Sequence, residues 1–113
     1  MWGKIFTYKW YKIIKMLVKI HKSYRIVVAI CDTELKNKQF EQENKQLDLA
    51  SRFYDGEEKS KQEVIEIMKD YNQEDATFNI VGKQSIEAAL EAGIISKEGI
   101  KTIKDVPYAL VLM

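Results

Sequence analysis

The sequence predicts an α+β fold: a single small domain in which two helices pack on a mixed sheet of about five strands. Three observations lead to this class. The chain has 113 residues, which suits one domain of ordinary size. Its hydrophobic content of 46% is that of a globular protein with a core. Strand-like and helix-like segments follow in the order β-β-β-α-β-α-β, which mixes the two types without strict alternation.

The first two strands are predicted at residues 17–22 and 25–31. In LVKIHK, apolar and polar side chains alternate, which places Lys19 and His21 together on the polar face of a strand. The segment RIVVAIC is rich in β-branched residues and predicts a more buried strand. Because only a short polar turn separates the two segments, we expect them to form a hairpin.

The next segment, DTELKNKQFEQENKQ, is polar and irregular, and we expect a loop in which Asn37 adopts a left-handed conformation. Alternation returns in QLDLASRFY, where Leu47 and Leu49 are separated by Asp48, so a third strand is predicted to start there. The pair Asp55-Gly56 is a turn signal that would close this strand.

The clearest helix begins after Ser60. The residues Ser60-Lys61-Gln62-Glu63 form a capping box, in which the serine oxygen and the glutamate carboxylate each accept a free backbone N–H. The apolar residues that follow lie at helical spacing on one core-facing stripe: Val64, Ile65, Ile67, Met68 and Tyr71.

The last three elements are a strand, a helix and a strand. Residues 76–82 form a short apolar strand that ends in a glycine, and residues 86–92 follow as a helix with Gly93 at the position of a C-cap glycine. Residues 106–113 are almost continuously apolar, which predicts a buried strand. Pro107 must lie near its start, since proline cannot donate to a strand ladder.

The charge of the chain is unevenly distributed. Residues 1–30 carry seven cations and no acid, whereas the remainder has a net charge of −6, so the total is +1. Aromatic side chains are interleaved with these cations, as at Tyr8, Trp10 and Tyr24. Such a pattern suits RNA, because cations bind phosphates and rings stack on bases. Pairing of the basic segment with the acidic remainder inside the fold is the alternative explanation.

Residues 1–15 are interpreted as a basic, aromatic N-terminal extension to a domain at residues 16–113. Two interpretations of the extension stay open. It can form a basic amphipathic helix that docks on a membrane, a partner or its own domain, because apolar residues recur on one stripe: Trp2, Phe6, Trp10, Ile13 and Leu17. Alternatively, the start is misassigned and Met16 begins the protein, whose net charge is then −3.

The stretch FNIVGKQSIEAAL joins a strand to a helix through Gly82-Lys83, as phosphate-binding proteins do. A P-loop needs a glycine where this chain has Thr77 and a hydroxyl where it has Gln84, and a dinucleotide fingerprint needs further glycines. Gly82 and Lys83 therefore predict at most a weak anion site at a helix N-terminus. The alternative is a sharp turn, in which case substitution of Gly82 harms folding more than binding.

Other chemistry has no positive support in the sequence. A single cysteine, Cys31, and a single histidine, His21, provide neither an internal disulfide nor a standard structural zinc site. We predict no catalytic residues, no metal and no cofactor. Apolar runs are too short for a membrane-spanning helix of about 20 residues. The expected location is a reducing cytoplasm, and the oligomeric state is left open.

Several segments together resemble the archaeal family grouped as domain of unknown function 424, over Met16 to the C-terminus. The segments are VKIHKSYRIVVAICD (18–32), QLDLASRFYDG (46–56), NIVG (79–82), ALEAGII (89–95) and VPYALVLM (106–113). The resemblance implies an archaeal cytoplasmic protein of mixed α and β structure. It implies no activity, cofactor or catalytic residue.

The leading hypothesis is a non-enzymatic RNA- or ribosome-associated binding module. Its contact residues are predicted on the basic hairpin: Lys19, His21, Lys22, Tyr24 and Arg25. One alternative is a protein-interaction subunit that uses an exposed sheet edge or the N-terminal extension. A second is a small enzyme or ligand-binding domain that uses the Gly82-Lys83 turn.

Overall fold

A computed structural model describes residues 15–112 of the chain. The predicted N-terminal extension lies outside the described residues except for Lys15, which begins the first strand. Leu17, the last apolar residue of its predicted helical stripe, also lies in that strand, so the helix prediction is wrong for this residue. The described part contains eight strands and two α-helices: β1 (Lys15–Lys22), β2 (Ile26–Asp32), β3 (Gln39–Gln42), β4 (Lys45–Asp48), β5 (Glu57–Ser60), α1 (Lys61–Gln73), β6 (Thr77–Val81), α2 (Lys83–Ala92), β7 (Lys101–Ile103) and β8 (Val106–Val111).

Six of these strands form one mixed sheet in the order β5-β1-β2-β6-β8-β7. Strands β2 and β6 are parallel, and the other neighbours pair antiparallel. The predicted α+β class and the β1–β2 hairpin are confirmed. The main sheet has six strands where about five were expected. It contains two strands that were not predicted, β5 and β7, which are short and largely polar, and it lacks the predicted third strand.

The predicted third strand exists as β4 but does not join the main sheet. It pairs with β3 as a separate two-stranded hairpin, within the segment that was expected to be an irregular loop. Residues Phe40 and Leu47 pair across this hairpin and supply its apolar face, and its other side chains are largely exposed. Asn37 precedes the hairpin with a φ of 70°, which confirms the left-handed conformation predicted for it.

Both helices cover one face of the main sheet, and the principal core lies between them. Helix α1 begins with the predicted capping box: Ser60 Oγ accepts from the Glu63 N–H, and the Glu63 carboxylate accepts from the Ser60 N–H. Helix α2 starts three residues before the predicted position and ends at Gly93, which has a left-handed φ of 77°. The core is built from both helices and the central strands: Met16, Val18, Val28, Ile30, Val64, Ile65, Met68, Phe78, Ile80, Ile86, Ala88, Ala89 and Ala109.

The opposite face of the sheet carries a second layer. There, residues 33–56 fold back over the sheet and bury a second, smaller core: Leu17, Ala29, Cys31, Leu49, Tyr54 and Val81. Periodicity did not predict this layer, because its apolar residues are widely spaced. None of the helices within residues 15–112 is long and apolar enough to cross a membrane.

Candidate functional site

The β1–β2 hairpin separates the five residues predicted to bind nucleic acid into two groups. Lys19 and His21 lie within β1 on the face opposite the helices, as the alternation predicted. The other three residues, Lys22, Tyr24 and Arg25, lie at or next to the hairpin tip, where the last cross-strand pair joins Lys22 to Ile26. All three are exposed, and the Tyr24 side chain has 103% of its reference exposure.

His21 has a structural partner. Its ring stacks on Phe53, with 4.6 Å between ring centroids and an angle of 10° between planes. Its Nε2 lies 2.9 Å from the carbonyl oxygen of Phe53, and because a carbonyl can only accept, this nitrogen donates. These contacts anchor the short 3-10 turn Arg52–Tyr54 to the sheet, so His21 holds the second layer in place.

The outer edge of β1 is open beyond its fourth residue. Strand β5 pairs with β1 only as far as Val18, opposite Glu57. The chain enters β5 through Gly56, whose α-carbon lies so close to the carbonyl of Val18 that an added Cβ would collide with it. Because this carbonyl points outward, the alternation of an antiparallel strand also turns the N–H and C=O of Ile20 outward, past the end of β5.

A groove of about 590 Å³ follows this open edge. The edge of β1 forms one wall with Lys19 and Ile20, and helix α1 forms the other with Ile67 and Tyr71. Asp55, in the loop before β5, and Glu57 and Lys59, in β5 itself, add two acidic and one basic side chain to the lining.

The acids of the groove are matched by cations. Asp55 Oδ1 accepts from Lys36 Nζ at 3.0 Å, and this hydrogen bond lowers the pKa of Asp55 below its usual value. Glu57 pairs with Lys59 at 3.3 Å. Lys19 also helps to lower the pKa of Asp55, so three cations, Lys19, Lys36 and Lys59, stand against the two acids of the groove. Lys22, at the hairpin tip, lies about 10 Å from Lys19 at strand spacing.

A second cavity, of about 420 Å³, lies beside the hairpin tip on the side of helix α1. Tyr24, Arg25 and Ile26 line it together with Glu74 and Asp75 from the end of the helix. On this side of the tip, Arg25 therefore lies beside two carboxylates, which would repel phosphates. The β1 edge is consequently the more favourable of the two surfaces for an anionic polymer.

The predicted anion site at Gly82 and Lys83 has a different geometry. The carboxylate of Asp32, at the end of β2, lies against the start of helix α2. It accepts from the N–H of Ser85 at 2.8 Å, from the N–H of Gln84 at 3.0 Å and from the Ser85 hydroxyl at 2.7 Å. The donors that would bind an external anion are thus already engaged by a carboxylate of the protein itself.

Asp32 and the start of helix α2 at Gly82 form a contact that we call the α2 joint, and burial controls its electrostatics. Asp32 is 2% exposed, and desolvation raises its pKa while the three hydrogen bonds oppose that effect. Gly82 has a φ of 108° and packs so tightly that an added Cβ would lie 2.6 Å from both carboxylate oxygens of Asp32. An adjacent cavity of about 140 Å³ is lined by more carboxylates than amines, including Glu34 and Asp105 beside Lys83.

Sequence reasoning missed Asp32 and Ser85. The available signal was an acidic residue directly after a buried strand, but nothing in the spacing of the sequence pairs it with a helix more than fifty residues later. Ser85 was hidden because α2 was predicted to start at Ile86, which turned a residue of the first helical turn into loop.

The one cysteine of the chain is buried, and the described residues hold no cluster of metal ligands. Cys31 is fully buried, and desolvation raises the pKa of its thiol to about 11, so it stays protonated and unreactive. Within residues 15–112, no three His, Cys, Asp or Glu side chains are grouped as they would be to hold a metal ion.

Comparisons with known proteins agree with this description. The model of the family described as "Protein of unknown function (DUF424)" matches residues 20–113. The crystal structure of an uncharacterized conserved protein from Methanopyrus kandleri is similar, with a TM-score of 0.77 and 21% sequence identity over 87% of this chain and 92% of that one. At this level of identity the similarity shows the fold. No curated protein matches the chain.

Proposed function

The chain belongs to the DUF424 family, and we propose that it is a non-enzymatic RNA- or ribosome-associated binding module. Its contact surface runs along the open edge of β1 and reaches the tip of the β1–β2 hairpin. Single-stranded RNA is the form that fits such a surface, because it offers both phosphates and unstacked bases.

The exposure of Tyr24 is the observation that carries this proposal. The residue is 103% exposed and is flanked by Lys22 and Arg25 at the tip of a hairpin. A tyrosine in this position adds nothing to the core, and its ring is accessible to another molecule. Stacking of a base on an aromatic ring contributes about 1 to 3 kcal/mol, and adjacent cations bind the phosphates.

Charge along β1 supports the same surface. Lys15, Lys19, Lys22 and Arg25 are all basic, and no acid occurs in β1 or in the hairpin turn. The two acids of the neighbouring groove are paired with Lys36 and Lys59. RNA phosphates can therefore approach this edge without meeting an unpaired carboxylate of the groove.

Binding to total RNA tests the proposal in a gel-shift assay at two salt concentrations. We expect retention that weakens as salt rises, with each phosphate contact contributing about 0.7 to the slope of the logarithm of affinity against that of salt. The double variant Lys19→Gln/Lys22→Gln should lower both the affinity and that slope. Lys45→Gln, which removes one exposed lysine from the separate β3–β4 hairpin, is the control for loss of positive charge elsewhere on the surface.

Absence of salt-dependent retention would overturn the proposal, and so would an equal loss of binding in the Lys45→Gln control.

We also propose that residues 1–15 are an extension to the domain at residues 16–113. A chain that begins at Met16 should keep the hairpin-dependent part of the affinity. Any contribution of the extension then appears as the difference between this chain and the full one.

A further inference from the structure

The opposite end of the sheet has an edge that is only partly covered. Strand β7 pairs with the first three residues of β8, from Val106 to Tyr108, and then ends. Strand β8 continues to Val111, so its outer edge lies open from Ala109 onwards. This edge is on the far side of the sheet from β1, and RNA binding as proposed makes no use of it.

The direction of the backbone groups in β8 follows from one hydrogen bond. The N–H of Gly82 donates to the carbonyl of Pro107 at 2.8 Å, which turns Pro107 towards β6. Because these groups alternate in an antiparallel strand, Ala109 and Val111 also face β6, whereas Leu110 faces outward. The same alternation, continued one residue past the strand, turns Leu112 outward.

The side chains along this edge are apolar and exposed. Leu110 is 53% and Leu112 is 71% exposed, and the segment VPYALVLM has no charged side chain. The other sheet edge, β5, has the sequence EEKS and carries the charges that keep edge strands from pairing. Open hydrogen-bonding groups, exposed leucines and absent charge together mark the β8 edge as a pairing surface.

We propose that this edge pairs antiparallel with the same edge of a second copy of the chain. A two-fold axis through Val111 sets Leu110 of each copy opposite Leu112 of the other. The outward N–H and C=O groups of both residues then exchange hydrogen bonds across the axis, and the leucines meet on one face. The edge is self-complementary in this register, and neither copy places a charged side chain opposite the other.

Sedimentation velocity of the full chain over about a hundredfold range of concentration tests the pairing. We expect a monomer–dimer equilibrium. Leu110→Lys places like charges near the axis and should raise the dissociation constant about tenfold or more. Gln62→Lys, on the exposed face of α1, adds the same charge elsewhere and should leave the equilibrium unchanged.

A second variant separates backbone pairing from side-chain contact. Leu110→Pro removes an N–H that faces away from β6, so the β6–β8 ladder stays intact while the outward donor is lost. It should also be monomeric, with thermal unfolding close to that of the wild type. Hydrogen exchange of the Leu110 and Leu112 amides should slow as concentration rises.

Three results would overturn the proposal. The first is a monomer at every concentration, and the second is a dimer that persists in Leu110→Lys. The third is protection of the Leu110 and Leu112 amides that does not depend on concentration, since this would show that another part of the same chain covers the edge.

Discussion

The two helices of this protein begin in opposite ways. At the start of α1, the cap is local: Ser60 Oγ accepts from the Glu63 N–H at 3.3 Å, and Glu63 Oε1 accepts from the Ser60 N–H at 3.1 Å. At the start of α2, the N-cap residue is Gly82, which has no side chain to contribute. Its role is taken by Asp32, which reaches the helix from the end of β2.

Because of this difference, we expect the two caps to contribute unequally to the free energy of unfolding. The α1 cap is exposed to water, which competes for its hydrogen bonds, so its loss costs little. The α2 cap is buried, and every buried side-chain nitrogen or oxygen atom among residues 15–112 has a hydrogen-bond partner. Removal of Asp32 would leave buried donors without one, and in a medium of low polarity that penalty is large.

Substitution of Gly82 is the strongest way to break the α2 joint. Gly82→Ala puts a Cβ against the Asp32 carboxylate and forces an L-residue into a backbone region that glycine almost alone adopts. We expect the free energy of unfolding to fall by about 4 kcal/mol, measured by urea denaturation. Gly99→Ala is the control, because an added Cβ there meets open space, and it should change stability by less than about 0.5 kcal/mol.

The cause of that loss can be separated into clash and strain with a double-mutant cycle. In a chain that already carries Asp32→Ala, the Cβ of Gly82→Ala no longer meets a carboxylate, so its cost should fall well below the single-variant value. Purely additive effects of the two substitutions would contradict this explanation and leave backbone strain as the whole cause.

Removal of the remote cap is the next largest effect. Asp32→Ala should lower the free energy of unfolding by about 3 kcal/mol, because two backbone N–H groups and the Ser85 hydroxyl lose a buried charged acceptor.

The Asp32→Ala variant also frees the helix N-terminus beside Lys83. Inorganic phosphate should therefore raise the melting temperature of Asp32→Ala more than that of the wild type. An equal rise in both proteins would show that the wild-type joint already accepts an external anion.

The same comparison shows why part of the fold was visible in the sequence. The capping box, the α1 stripe, the β1–β2 hairpin and the Gly93 cap are all encoded in neighbouring residues, and all are confirmed. The α2 cap, the second layer over the sheet and the short strands β5 and β7 depend on residues far apart in the chain. Their positions follow from packing, which periodicity does not report.

In the candidate site, too, the features encoded in neighbouring residues were predicted and those that depend on distant residues were not. Tyr24 was predicted in the turn, and Lys22 and Arg25 at the strand ends beside it; all three are exposed at or next to the hairpin tip. These positions were predictable because a hairpin signal is local. His21 was assigned to the binding surface, yet the sequence could not show that Phe53 would stack on it. The groove between β1 and α1 was also unpredictable, since it exists only because β5 ends opposite Val18.

The local cap of α1 gives a smaller effect that calibrates the larger one. Ser60→Ala should lower the free energy of unfolding by about 1 kcal/mol, because one exposed hydrogen bond to the helix start is lost. Urea denaturation of this variant beside Asp32→Ala measures the comparison directly. A loss in Ser60→Ala as large as that in Asp32→Ala would show that burial does not distinguish the two caps.

The hairpin tip should give the smallest effect on stability and the clearest effect on binding. Tyr24 is fully exposed, so Tyr24→Ala should change the free energy of unfolding by less than about 0.5 kcal/mol. The same variant should weaken RNA retention by about tenfold, since a stacked base contributes roughly 1 to 3 kcal/mol. Tyr24→Phe, which keeps the ring, should restore most of that affinity. The polar groups at the two helix starts form hydrogen bonds within the protein, whereas the ring at the hairpin tip is exposed to solvent. A variant that lowered stability and left RNA binding unchanged would place Tyr24 with the structural residues and remove the main support for a binding role of the hairpin.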